Sequence, residues 1–143
     1  MKTVGELMTR DLVTLKETQN LAVADELLRL HRIRHLPVVR EGKLVGLITH
    51  RDLLKATGLK CPDPSKHPIW AADIMTREMR TVHPDMSLRE AVKVMLDNKI
   101  GCLPVLGEGN ALLGILTEAD LVRYAQELIG DLDRLSEAAS YEE

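Results

Sequence analysis

The 143-residue chain states one pattern twice. Met8-Thr9, Thr14, the run from Leu21, Leu36-Pro37-Val38-Val39 and Gly46-Leu47-Ile48-Thr49-His50-Arg51-Asp52-Leu53 return later in the same order. Their second copies are Met75-Thr76, Thr81, the run from Leu88, Leu103-Pro104-Val105-Leu106 and Gly114-Ile115-Leu116-Thr117-Glu118-Ala119-Asp120-Leu121. The offset is 67 residues through the Leu-Pro-Val segments and 68 beyond them, so one residue has been gained in the turn between. A half of roughly 60 residues is marginal alone, which predicts that the two fold as one body. Equivalent units also present equivalent surfaces to each other, and their junction is where a ligand should be sought.

Hydrophobic residues make up 45% of the chain and charged residues 29%, as expected of a soluble globular protein. With no Phe, one Trp and two Tyr, the interior must be built from Leu, Val, Ile and Met. A formal net charge of -3 offers no electrostatic case for wrapping nucleic acid or lying on an anionic membrane. No apolar stretch approaches the roughly 20 residues that span a bilayer, and Met1 to Glu6 lack the apolar core of a signal peptide. A cytoplasmic location is the default expectation. Cys61 and Cys102 are too few for a disulfide framework, and with His31, His50, His67 and His83 they match no metal-ligand spacing.

Each unit reads as a short strand, a long helix, a hairpin and a helix. Asn20 is a candidate cap before Leu21, Ala24, Leu27 and Leu28, while Ser87 and Glu90 match a capping box ahead of Leu88, Ala91, Val92, Met95 and Leu96. Pro37 and Pro104 suit a strand start or an edge, where no ladder bond is lost. The apolar runs Leu44 to Ile48 and Leu112 to Leu116 suggest strands covered on both faces. The expected boundaries are 1–60 for the first unit, a Pro-rich linker at 61–70, 71–135 for the second unit and a frayed tail at 136–143. Trp70 is read as cover for an apolar edge, with contact to a partner or ligand as the alternative.

The most informative local pattern is Gly-apolar-apolar-Thr-x-x-Asp, present at Gly46 to Asp52 and at Gly114 to Asp120. Thr49 with Asp52, and Thr117 with Asp120, fit a helix cap with an acid at its third position. Placed twice behind a strand and a Gly, the same residues also suit a ligand. The Gly would let backbone approach it, the acid would accept from two sugar hydroxyls, and the free amides would favour negative charge. Such a site would recognise a ribose with phosphate nearby. No nucleophile elbow, Gly-rich phosphate loop with Lys or metalloprotease helix occurs, so no catalytic residue is assigned.

The duplicated Met-Thr start, the Leu-Pro-Val strand and the Gly-x-x-Thr-x-x-Asp ending resemble tandem cystathionine beta-synthase (CBS) domains, the pair called a Bateman module. The resemblance covers about residues 3 to 130. It implies an α+β fold of duplicated β-α-β-β-α units packed through their sheets about a pseudo-twofold axis, with two clefts that take an adenine nucleotide such as AMP, ADP or ATP. It also implies pairing into homodimers, with a regulatory role and no chemistry. Carried over by position, Asp52 and Asp120 would hold ribose hydroxyls, with Thr49 and Thr117 beside the ribose or phosphate. Thr14 and Thr81 would line the pocket, and Val38 and Val105, next to Pro37 and Pro104, would flank the base. Arg34, His35 and Arg51 fall where phosphate contacts are expected, whereas the second copy has Gly101, Cys102 and Ala119 there. One well-formed site and a weaker or empty second one are therefore expected. No output domain is seen, so an unknown partner would be the regulated protein. A structural dimer with vestigial clefts and a nucleotide hydrolase are the alternatives.

Overall fold

The computed structural model describes residues 1–58 and 69–141, so the part of the expected linker holding Cys61 and His67 lies outside the described residues. In chain order the first half contains α1 (Val4–Leu7), β1 (Leu15–Lys16), α2 (Leu21–His31), β2 (His35–Arg40), β3 (Lys43–Thr49) and α3 (His50–Gly58). The second contains α4 (Ala71–Ile74), α5 (Leu88–Asn98), β4 (Cys102–Leu106), β5 (Leu112–Thr117) and α6 (Glu118–Tyr141). β1 lies parallel to β2, which pairs antiparallel with β3; β4 and β5 form the matching hairpin. The counterpart of β1 in the second unit is a single parallel bridge from Val82 to Val105. The duplicated β-α-β-β-α architecture is thus present, with its sheets packed together.

Local chemistry explains the elements. Asn20 and Ser87 cap α2 and α5 by accepting from the amides of Val23 at 3.1 Å and Glu90 at 3.2 Å. The helices bury Ala24 and Leu28, and Leu88, Ala91 and Met95, against their sheets. Leu96, read as part of the second stripe, is 73% exposed, whereas its neighbour Met95 is buried in the core. The first hairpin turns on Glu41 and Gly42, whose φ angles of 52° and 77° are those a two-residue turn demands. The residue gained in the second copy is taken up by a 3-10 turn at Glu108–Asn110. Pro104 sits in β4 without losing a ladder bond. Its carbonyl accepts from Val82 N at 3.0 Å, so its missing N–H would face the same side, where the strand has ended.

The two units exchange their opening segments. Val4 and Met8 lie in one core with Val82, Leu88, Ala91, Met95 and Leu116 of the second unit. Ala71 and Met75 lie in the other with Leu15, Ala24, Leu28, Leu36 and Ile48 of the first. Backbone bonds close both exchanges: Thr9 with Ile115 at 2.9 and 3.0 Å, and Thr76 with Leu47 at 2.9 Å in both directions. Leu47, Cys102 and Ile115 form a third cluster between the sheets.

This exchange corrects the reading of the repeated glycines. A Cβ on Gly46 would stand 2.4 Å from Met75 Sδ, and one on Gly114 would stand 2.7 Å from Met8 Sδ and 2.8 Å from the Thr9 carbonyl oxygen. What needs the missing side chain is therefore the sister unit's methionine and not a ligand. Trp70 is 45% exposed, and its amide donates to Asp73 at 3.0 Å. One further expectation changes. The supposed frayed end from Ser136 is regular helix as far as Tyr141, consistent with the strong helix propensity of Ala138 and Ala139.

Gly114→Ala should cost about 1–3 kcal/mol, since the contact it meets is backbone. Gly46→Ala should cost less, because the flexible end of Met75 can move. Chemical denaturation of both variants checks the order, and equal stability to the parent would contradict the packing.

Candidate functional site

A cleft of about 1000 Å³ opens between the units. The first unit lines it with residues from the end of α2 and the junctions of β2 and β3, among them Arg34, His35, Thr49 and Arg51. The second contributes Thr76, Glu78 and Arg80 from the segment after α4, then Lys99 to Cys102 and Pro104. Of the residues singled out from sequence, Arg34, His35, Thr49, Arg51 and Pro104 are brought together there. Thr14 and Thr81 are exposed outside that lining, although Thr81 follows Arg80 directly, and Asp52, Thr117 and Asp120 also fall outside it, Asp52 next to the lining residue Arg51. Pro37, Val38, Val105 and also Pro104, which closes the cleft from behind, are fully buried; Val38 and Val105 belong to the cores of their units and present no side-chain surface to a base.

The two repeated acids have different environments. Both complete the expected helix cap: Thr49 N donates to Asp52 Oδ2 at 2.8 Å, and Thr117 N donates to Asp120 Oδ2 at 2.9 Å. Asp52 is half-buried, and its Oδ1 accepts nothing among the described residues. Asp120 is buried, and its Oδ1 accepts from the Thr9 hydroxyl at 2.7 Å and from Arg123 at 2.6 Å. Its Oδ2 takes the Thr117 hydroxyl as well. Asp120 is thus saturated by its own protein, while Asp52, beside Arg51, keeps an acceptor.

The charge of the cleft is concentrated in a way that the net charge conceals. Arg29 is paired with Asp25 at 3.3 Å. The side chains of Arg32, Arg34, Arg51, Arg80 and Lys99 line the same cleft without a carboxylate partner among the described residues. Arg32 and Lys99 are equivalent positions: each ends a long helix in the left-handed conformation, with φ of 53°. The next amides, of Ile33 and Ile100, bond back to Leu28 and Met95 at 3.1 Å. Glycine is the usual occupant of this cap, and a side chain there costs roughly 1–2 kcal/mol. Both cations lie at helix C-termini, where the dipole favours positive charge.

Burial and the neighbouring Arg34 guanidinium hold the His35 imidazole below its ordinary pKa, with Glu118 opposing them. The group is therefore neutral in the fold across a range where the unfolded chain is protonated. Its contribution to stability is present above pH 6.5 and is lost as pH falls toward the depressed value. Burial, aided by Glu118, pushes the Cys102 thiol up to about 12, so it is not a thiolate nucleophile near neutrality. Among the described residues no group of three or more His, Cys, Asp or Glu is placed to hold a metal ion.

Sequence reasoning missed Arg32, Arg80 and Lys99. Arg32 and Lys99 are cations at matching positions of the repeat, a signal that was available; Arg80 had none, since it reaches the cleft only through the exchanged segment. In a Cys61→Ser background, iodoacetamide at pH 8 should leave native Cys102 unmodified and alkylate it after denaturation. Mass spectrometry reads the difference, and rapid native labelling would contradict the burial.

The comparisons with known proteins agree on one family. The CBS domain model matches residues 4–58 and 71–127. A homoserine O-acetyltransferase of Methanococcoides burtonii is 38% identical over 121 residues, covering 84% of this chain but 23% of that protein. The chain therefore spans about a quarter of that relative's length. Among solved structures, an acetoin utilization protein (AcuB) from Vibrio cholerae superposes with a TM-score of 0.84 at 33% identity, covering 94% of this chain and 97% of that one. The structure of CBSX2 in complex with AMP gives 0.78 at 30% identity, with coverage of 90% and 98%. Two matched domains, one on each side of the cleft, make this chain a member of the CBS domain family.

Proposed function

We propose that the chain is a non-enzymatic regulatory module that binds one adenine nucleotide in the cleft between its CBS units and works as a homodimer. The observation that carries this reading is the set of five cations without carboxylate partners among the described residues, drawn from both units into one cleft. Arg32, Arg34 and Arg51 come from the first unit, and Arg80 and Lys99 from the second. Like charges lining one cleft repel one another, and a multiply charged phosphate chain relieves that repulsion while accepting charge-assisted hydrogen bonds. The AMP complex of CBSX2 supports an adenine nucleotide as the ligand class. The cation count favours ADP or ATP over AMP, and disfavours S-adenosylmethionine, whose sulfonium is positive.

Next to the lining residue Arg51, the Asp52 oxygen that no described residue bonds is suited to a ribose hydroxyl, whereas Asp120 would first have to release Thr9 and Arg123. One nucleotide per chain follows. A ligand touching both units biases their relative packing only by its difference in affinity between packings, and a partner protein reads that bias. With Cys102 held as a thiol, the cleft lacks a cysteine nucleophile, consistent with binding and no turnover.

Calorimetry on ligand-stripped protein should give one site, with ATP or ADP tighter than AMP and adenosine weakest. Arg34→Ala and Arg51→Ala should each cost about 1–2 kcal/mol, roughly 5- to 30-fold, for ATP and leave adenosine nearly unchanged. Equal losses for adenosine would defeat the phosphate assignment. Flat traces for every ligand would defeat the sensor reading.

The helix caps give a test with opposite signs. Arg32→Gly and Lys99→Gly should raise folding stability by about 1 kcal/mol, because the left-handed strain is relieved. Both should weaken ATP binding. A stability gain without loss of affinity would remove these two residues from the site.

A further inference from the structure

The last helix is 24 residues long, against nine in its counterpart α3. Leu121 and Tyr124 pack on the second unit's core. Val122, between them, is 68% exposed, and past Tyr124 α6 leaves the body: Leu128, Ile129, Leu132 and Leu135 are 44, 59, 65 and 67% exposed. Leu121, Ala125, Leu128, Leu132, Leu135 and Ala139 follow one another at alternating steps of four and three, with Val122 and Ile129 flanking the row. That is the period one helix offers to another. A helical segment of this length is marginal alone in water, and Gly130 within it costs about a further 1 kcal/mol relative to Ala.

We infer that the projecting part of α6 pairs antiparallel with α6 of a second copy of this chain, a contact that rests on the homodimeric reading above and gives it a place. The row is complementary to itself. Setting Leu128 against Leu132 of the second copy puts Ala125 against its Leu135, so every layer of the projecting part holds at least one leucine. A parallel pair would set Ala125 on Ala125 and Ala139 on Ala139, leaving voids that the antiparallel register fills. Asp131, the flanking acid that meets its own copy in this register, is already paired with Arg134 of its helix. Covering the exposed side chains completely would remove roughly 500 Å² per copy, about 1000 Å² for the pair, the size of a small, readily dissociating interface.

Sedimentation of the whole chain should show a dimer at micromolar concentration, and Leu132→Asp should convert it to a monomer with unchanged ATP affinity. A dimer unmoved by Leu132→Asp would overturn this contact while leaving homodimerisation and nucleotide binding standing. A monomeric parent would overturn both the contact and the homodimer. Orientation is read by cross-linking in the Cys61→Ser background. Ala125→Cys and Leu135→Cys should give no covalent dimer separately under mild oxidation and a covalent heterodimer when mixed. Covalent dimers from either variant alone would mean a parallel pair and refute the proposed register.

Discussion

The reciprocal exchange of opening segments is the constraint on which the rest of the molecule depends. Met8 is seated beside Gly114 in the second unit, and Met75 beside Gly46 in the first. Each methionine belongs to the core that its own unit does not own. Burying such a side chain is worth about 1.5–3 kcal/mol, and here that stabilisation exists only while both units are folded and in contact. The exchange also accounts for the repeated glycines, which leave room for a thioether and a strand-like segment where any other residue would collide. A pair of marginal halves thereby becomes one cooperative body.

The same exchange shapes the cleft and breaks its symmetry. On one side Thr9 is drawn to Asp120 and, with Arg123, closes the acid into the protein. On the other side Thr76 lies on the cleft wall, and Asp52 keeps an oxygen without a donor among the described residues. The counterpart of Arg123 in the first unit is Lys55, an exposed side chain. A duplicated scaffold has thus diverged through a few side chains around one repeated acid, leaving unequal positions where the repeat alone would give equal ones.

Electrostatics adds the second asymmetry. A chain of net charge -3 holds five cations along one cleft that have no carboxylate partner among the described residues, which is possible because net charge sums over the surface and says nothing of placement. Two of those cations, Arg32 and Lys99, occupy left-handed helix caps that glycine would fill at lower cost. Strain retained at equivalent positions on both sides of a cleft is what a site tends to store, offset by the packing of the two long helices.

Much of this was legible in the residues themselves. The caps at Asn20 and Ser87, the hairpins, the duplicated fold and the grouping of Arg34, His35, Thr49 and Arg51 follow from local propensity and from the repeat. Those features are set by neighbours close in sequence or by the identity of two copies. The owner of Met8, the approach that Gly114 accommodates, the withdrawal of Val38 and Val105 into the cores and the capture of Asp120 by Thr9 all depend on contacts between segments far apart in the chain. The sequence determined the units and their chemistry. Only the tertiary structure decided which repeated acid stays open, because that depends on which unit's opening segment lies against which sheet.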